Sequence, residues 1–579
     1  MGNSNSSANF GQKILKLLGI KGDFKTTVVP MFNYSYANIF MGGAGYIISI
    51  YFSIFLTDVV NLKLSQAGIV IMLATIWDAV TDPVMGIITD RTRSKFGKHR
   101  IHLLLGIPVL FVSYILLWNS FGLNGSTNST KAMVYFILVY MLYKTAYTII
   151  GVPHTAMLPE LAPEYNLRTQ YNSVGYIFNS VGMVPAFIIA ACVLNAFGSG
   201  DDLSSEYSKT PFLIIGIVLS VVFSLAVFAT FKFTKEESSL NNKVEKLDIR
   251  YVIREYIDVF KNKSFKQYFF MSVAYQFATG FYKNTKVYYM KYLANQYKYY
   301  PIFTAVEGVA EASAFPLNYA LTMKFGKKKC GSIVTPLMIA GLAIGLFMRP
   351  STGSAGDFLW VILMFISIIL YPFGMSGLGF VSNNVFPDLT DVDEVITGRR
   401  REGVISTFNS LIKKSIGGVM AAFVGFILQG FGLKTGDAVK AWEASHNGAL
   451  FVQSETALVG VRLCVAIVPI AAALIALLLL HQFKMTKEDH AMICAAIATK
   501  RKYGSVSLSS EQIKRVELVS GQKYENTWLG MYNESEEPHT VEINKDGEYD
   551  ILIEKERLKK EAEAKTEAER IDKVTKGGK

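Results

Sequence analysis

The sequence predicts an all-α membrane protein, with twelve transmembrane helices in two six-helix halves. Three observations carry this. The 579 residues are 51% hydrophobic, the mean hydropathy is +0.30, and the apolar residues come in long blocks divided by short polar loops, unlike a soluble chain of this length. Twelve blocks approach the ~20 residues a helix needs to cross a bilayer. Finally, KFGKHR (95–100) closes the second block and KFGKKK (324–329) closes the eighth. That is the placement a duplicated six-helix unit requires.

Taken in order, residues 1–32 form a cytoplasmic N-terminal segment. Its start, MGNSNSSANFGQKILKLLGIKG, lacks the apolar run of a cleavable signal peptide. Gly2 with Ser6 fits the myristoylation pattern, a match that a Ser/Asn-rich start produces by chance. The first bundle, 33–233, takes the blocks 33–58, 65–89, 101–121, 132–158, 168–197 and 210–233. A polar linker, 234–264, follows. In it Asp248 is a candidate N-cap, and Ile249, Val252, Ile253, Tyr256, Ile257 and Phe260 make one apolar face, which predicts a helix lying on the cytoplasmic surface. The second bundle, 265–483, takes 265–293, 300–325, 331–349, 357–386, 402–431 and 456–483.

The basic residues behind the net charge of +12 gather at block ends. This predicts basic cytoplasmic loops, both termini cytoplasmic, and a multi-pass protein of the plasma or cytoplasmic membrane, and it speaks against nucleic-acid binding. The opposite loops agree: Leu123–Thr130 is polar and nearly uncharged, and Gly198–Ser208 is acidic. Residues 484–579 read as a charged, solvated cytoplasmic tail with no identified partner, in which Ile551–Val574 is a strong helix former. Cys192, Cys330, Cys464 and Cys494 have no disulfide or metal-ligand spacing, and no cofactor is expected.

Function is sought where charge enters apolar sequence. A carboxylate at mid-bilayer costs roughly 2.5–3.5 kcal/mol on insertion scales. Asp78 and Asp82, within IWDAVTDPVMGIITD, are four residues apart and share a helix face. With Thr81 beside them they offer hard oxygen ligands to Na⁺, or a protonatable pair for H⁺; the plainer alternative is an interhelical salt bridge. Lys413 and Lys414 lie in the eleventh block, and one of them is expected to reach the acids. Lys144 lies in the fourth block, with Thr148 one turn on as a hydroxyl ligand. Lys283 and Lys286 lie in the seventh, and Glu307 and Glu311 in the eighth.

The stretch WDAVTDPVMGIITDRTRSKFGKHR resembles the signature of the glycoside–pentoside–hexuronide:cation symporters, the melibiose-permease group of the major facilitator superfamily. VPHTAMLPELAPEYNLRTQYNS (152–173) and FPDLTDVDEVITGRRREGVISTFNSLIKK (386–414) are similar to two further stretches of that family. The resemblance spans most of the membrane region and stops near Lys484. It implies cation-coupled symport of a sugar or glycoside by alternating access, not an enzyme, with Na⁺ or H⁺ as coupling ion. It places that ion at Asp78, Asp82, Thr148 and Lys414, and puts Thr81 where the melibiose permease has an amide.

The sugar-binding positions depart from the family pattern, with Gly42, Gly151, Thr155 and Tyr176 in place of two acids, a tryptophan and an arginine. Lost acids and added lysines favour an anionic substrate such as a hexuronide, met by Lys144 and Lys286, with Tyr51, Tyr147 and Tyr176 as stacking aromatics. For gating, Asp90, Arg91, Arg93, Lys98 and Arg100 are expected to pair across the cytoplasmic face with Asp388, Asp391 and their neighbours beside Arg400. Such pairs would hold the outward-open form. A coupled lysolipid carrier, a signalling sensor, and a prenyltransferase built on D-x-x-x-D are the alternatives.

Overall fold

A computed structural model describes residues 28–162, 165–197, 209–236, 257–294, 299–347, 357–399, 401–446 and 451–531. The expected Gly2 site, the linker helix from Asp248 to Tyr256, Arg400 and the Ile551–Val574 helix lie outside them. The described elements are helical. The first half comprises α1 (Val29–Ser35), α2 (Ala37–Ile47), α3 (Leu64–Arg91), α4 (Arg100–Leu117), α5 (Gly125–Leu161), α6 (Tyr165–Ala196) and α7 (Lys209–Phe233). The second comprises α8 (Lys263–Tyr288), α9 (Tyr300–Leu346), α10 (Asp357–Thr397), α11 (Glu402–Gly430), α12 (Asp437–Ser445), α13 (Glu455–Arg462) and α14 (Val468–Gln482). Two more helices, α15 (Lys487–Tyr503) and α16 (Ser510–Ser520), follow.

Eight helices of the described residues are long and apolar enough to cross a membrane. The other expected spans coincide with helical segments that carry the internal charges: 29–59 with Asp58, 263–293 with Lys286 and Lys291, 300–325 with Glu307, and 402–430 with Lys414. Outward faces are rich in exposed Val, Leu and Ile, among them Val80, Leu138, Leu225 and Leu478, as lipid contact requires.

The repeated KFGK sequence has a matching backbone. Gly97 takes φ +94° and Gly326 takes φ +80°, a left-handed geometry that glycine adopts without cost. Gly326 turns the chain within α9, so that this element holds two helices joined at a kink. Among the described residues, four five-residue π-helical turns interrupt the α-helices, at 48–52, 55–59, 289–293 and 463–467.

The halves meet chiefly through α3 and α11. Gly68 faces the backbone of Ala421 and Ala422, and Gly425 faces the carbonyl of Leu64. A Cβ at either position would overlap main chain, so the two helices touch backbone to backbone. Gln429 adds a hydrogen bond, accepting from the Ser65 N–H at 3.2 Å. All these contacts lie at the end of α3 remote from the basic loop. There the buried Asp58 forms an ion pair with Lys291, Tyr292 donates to Asp58 at 3.3 Å, and the Ser53 and Tyr288 hydroxyls are 2.8 Å apart.

Residues 484–531 are not the solvated tail that their charge predicts. Thr486 and Asp489 form a capping box at the start of α15, and Ser509 and Gln512 form one at the start of α16. Left-handed Gly504 and Gly521 close the two helices. Met485, Met492, Ile493, Val516 and Leu529 share one core with Phe265, Val385, Leu389 and Val392 of α8 and α10. The segment is a folded cap on the second half.

Candidate functional site

The α-helical period places Asp78, Thr81 and Asp82 on one face of α3 and Lys144 and Thr148 on one face of α5. Trp77 ties the two helices in register, its indole N–H donating to Thr145 at 2.9 Å. Thr148 donates from one hydroxyl to either carboxylate, 3.1 Å from Asp78 Oδ1 and 3.0 Å from Asp82 Oδ1. Thr81 Oγ1 lies 3.4 Å from Thr148 Oγ1. From the other half, Lys414 on α11 forms ion pairs with Asp82 and, at 3.2 Å, with Asp78 Oδ2. The five residues expected at a cation site therefore form one cluster that bridges the halves.

Lys144 joins this cluster instead of standing free for a substrate. Its Nζ is 3.5 Å from the same Asp78 Oδ2 and 5.7 and 5.8 Å from the ring centroids of Tyr140 and Tyr147. Asp78 is 1% exposed, whereas the side chains of Asp82 and Lys414 are 22% and 31% exposed. The site is closed at Asp78 and open at Asp82.

The other substrate candidates are scattered. Lys286 pairs with Glu307 beside the Tyr300 ring, and the pair lines a separate cavity with Tyr282, Tyr289 and Phe303 inside the second half. Tyr51 is buried, edge-on to Phe212 at 6.0 Å; it packs the first half. Tyr176 is 77% exposed on α6. Gly42 packs against Asn179 with no room for a side chain, so no acid fits there.

The gating residues divide by half. Lys98 binds Glu160 at 2.8 Å, and that hydrogen bond holds its ammonium above the usual lysine range. Glu236 accepts from the His99 ring at 2.7 Å and from the Arg100 N–H at 2.8 Å. Burial opposes its charge, but these bonds outweigh burial and hold its carboxyl below the usual range. Arg100 also donates to the Phe231 carbonyl. Asp90, Arg91 and Arg93 are exposed. In the second half Asp388 pairs with Lys327 at 2.5 Å, Asp391 with His490 at 2.9 Å, Asp393 with Arg401 at 2.7 Å, and Glu394 with Arg501.

Sequence reasoning missed the Asp58–Lys291 closure and the cap's hold on Asp391 and Glu394. The first had a signal, an acid and a lysine near the ends of apolar runs. The second had none, because both partners sit in polar sequence.

Residues 33–487 match the family described as MFS/sugar transport protein. The chain is 24% identical over 516 residues to an uncharacterised symporter of Synechocystis, covering 77% of this chain and 92% of the relative. It is 23% identical to a glucuronide carrier protein homolog of Escherichia coli strain K12, covering 80% and 93%. It is 23% identical to an isoprimeverose transporter of Lactiplantibacillus pentosus, covering 71% and 82%. Among solved structures, the nucleoside transporter NupG superposes with a TM-score of 0.52 at 12% identity, covering 79% of this chain and 98% of that one.

Proposed function

This chain belongs to the MFS/sugar transport protein family, an integral multi-pass membrane transporter and not an enzyme, and from that premise we propose that it carries a sugar or glycoside by cation-coupled alternating access. The observation that carries the reading is the bridging cluster: Asp78, Asp82 and Thr148 from one half meet Lys414 from the other. Ion occupancy there alters the charge balance at the seam between the halves, which is how one bound species biases a two-state equilibrium that another also reads.

Basic loops belong on the cytoplasmic side. The closed end, at Asp58–Lys291 and Gly68–Gly425, is then external, and the form described is closed to the outside. An anionic hexuronide needs an unengaged cation on its path. Lys144 and Lys286 each face a carboxylate already, so we assign the substrate as a glycoside without requiring that it be anionic. Relatives described as a glucuronide carrier protein homolog and an isoprimeverose transporter fit this class.

The test is counterflow in proteoliposomes with neutral glycosides, glucuronides and lysolipids. A glycoside should exchange. Asp82→Asn should lower cation-driven accumulation by about 5–150-fold, the usual span of coupling energies, while exchange without a gradient persists. Exchange of lysolipids alone, or unchanged accumulation in Asp82→Asn, would refute the reading.

A further inference from the structure

Resting on the coupling-site reading above, we propose that Lys144 is a tethered counter-cation that occupies the place a coupling Na⁺ would take, so that this carrier neither binds nor uses Na⁺. The argument begins with charge. Two carboxylates and Lys414 alone would leave one negative charge in a mostly buried site, and a buried unpaired carboxylate recruits a cation. Here Lys144 supplies it. Two aspartates face two ammonium groups, and the cluster is neutral by itself.

Geometry makes the same point. Three of the four carboxylate oxygens are engaged at any one time: Asp78 Oδ2 by both lysines, Asp82 Oδ2 by Lys414, and one of the two Oδ1 atoms by the single Thr148 hydroxyl proton, which is within reach of both. A hard cation needs several oxygens turned toward it at once. In this site it would also sit close to two ammonium groups, with like charges near one another at the closed, Asp78 end of the site.

The position of Lys144 is built, not incidental. It stands one turn before Thr148 on α5, so the same helix face delivers the hydroxyl and the ammonium. Its Nζ lies over the rings of Tyr140 and Tyr147, and aromatic faces favour a partly desolvated ammonium. Energy for accumulation then comes from a source other than the Na⁺ gradient.

The test uses the full chain in lipid nanodiscs, titrated with NaCl against choline chloride, with binding heat and thermal unfolding as readouts. The wild type should show no saturable heat and no Na⁺-specific rise in Tm. Lys144→Ala removes the ammonium beside Asp78 Oδ2, and the variant should gain a saturable Na⁺ site and a Tm that rises with NaCl. Lys144→Gln is the second variant should the alanine protein fail to fold. A role confined to helix packing predicts no such gain. Saturable Na⁺ binding by the wild type, or folded Lys144 variants that stay indifferent to Na⁺, would overturn the proposal. If the wild type ignores Na⁺ but moves no glycoside in counterflow, the carrier reading falls and the assignment of Lys144 stands.

Discussion

Asp58 has no solvent exposure, and its charge is met by the Lys291 ammonium and the Tyr292 hydroxyl. Removing one partner of such a pair leaves a buried charge and costs roughly 3–5 kcal/mol. Asp58→Asn should therefore lower the Tm of the purified protein, and Lys291→Met added to it should restore most of the loss; a single variant as stable as wild type would exclude a structural role. His490 gives a second residue-level expectation. Burial opposes its charge, but hydrogen bonds to Asp391 and Cys494 and the nearby Asp388 raise its pKa from 6.5 to about 10. Because the folded value is the higher one, the stabilisation is complete below about pH 6.5 and is lost as pH climbs through about 10. Hydrogen exchange in α15, corrected for its intrinsic pH dependence, should speed up across that window, and His490→Gln should abolish the trend. At this scale the sequence was readable where charge is improbable. Asp78, Asp82 and Lys414 stood out because mid-span charge is costly, and Thr148 because it lies one helical turn from Lys144. Asp58 and Lys291 did not, because charges near span ends ordinarily reach the interface. Tyr51 was misleading because an aromatic in a span packs as readily as it binds, and Phe212 holds it.

Among the elements, α3 does two jobs at opposite ends. Its first turns close against α11, and its middle carries the acid pair. The closure depends on the absence of side chains at Gly68 and Gly425. Gly425→Val should push α3 and α11 apart at the Leu64 carbonyl, at a cost of about 1–3 kcal/mol for overpacking. A cysteine placed at Ser53, in a background without the native cysteines, should then label faster from outside with a membrane-impermeant maleimide; unchanged labelling would show that the closure does not rest on this contact. The π turns at 55–59 and 289–293 carry Asp58 and Lys291 themselves. Wide turns of this kind recur at functional positions and re-aim side chains, and nothing in the local sequence announces them. The cap helices were better marked. T-x-x-D at Thr486, S-x-x-Q at Ser509, and Gly504 and Gly521 at the stops are ordinary start and stop signals. A high charge content hid their significance, because composition reports how polar a segment is and not which neighbour covers its apolar face.

For the whole molecule, the twelve-block pattern and the KFGK repeat revealed the two-half architecture, while the state of the halves could not be read from them. A sequence is shared by every conformation, and only long-range pairs distinguish one from another. The described form is closed at Asp58–Lys291. At the opposite end Lys98, His99 and Arg100 pair inside the first half, whereas Asp391 and Glu394 pair with His490 and Arg501 of the cap. The cap therefore competes for the acids that the gating reading assigns to the basic loop. Removing residues 487–579 takes away the His490 and Arg501 counter-charges, leaving Asp391 and Glu394 to seek Arg91, Arg93 or Lys98. Each such pair favours the form closed to the cytoplasm, because it can form only when the cytoplasmic ends approach. The truncated chain should show faster external labelling at Ser53→Cys than the full chain, by up to about tenfold for each 1.4 kcal/mol of shift. Arg501→Ala alone should move labelling in the same direction by less. Slower labelling in both would mean that the cap supports the outward form, and would reverse the assignment of Asp391 and Glu394.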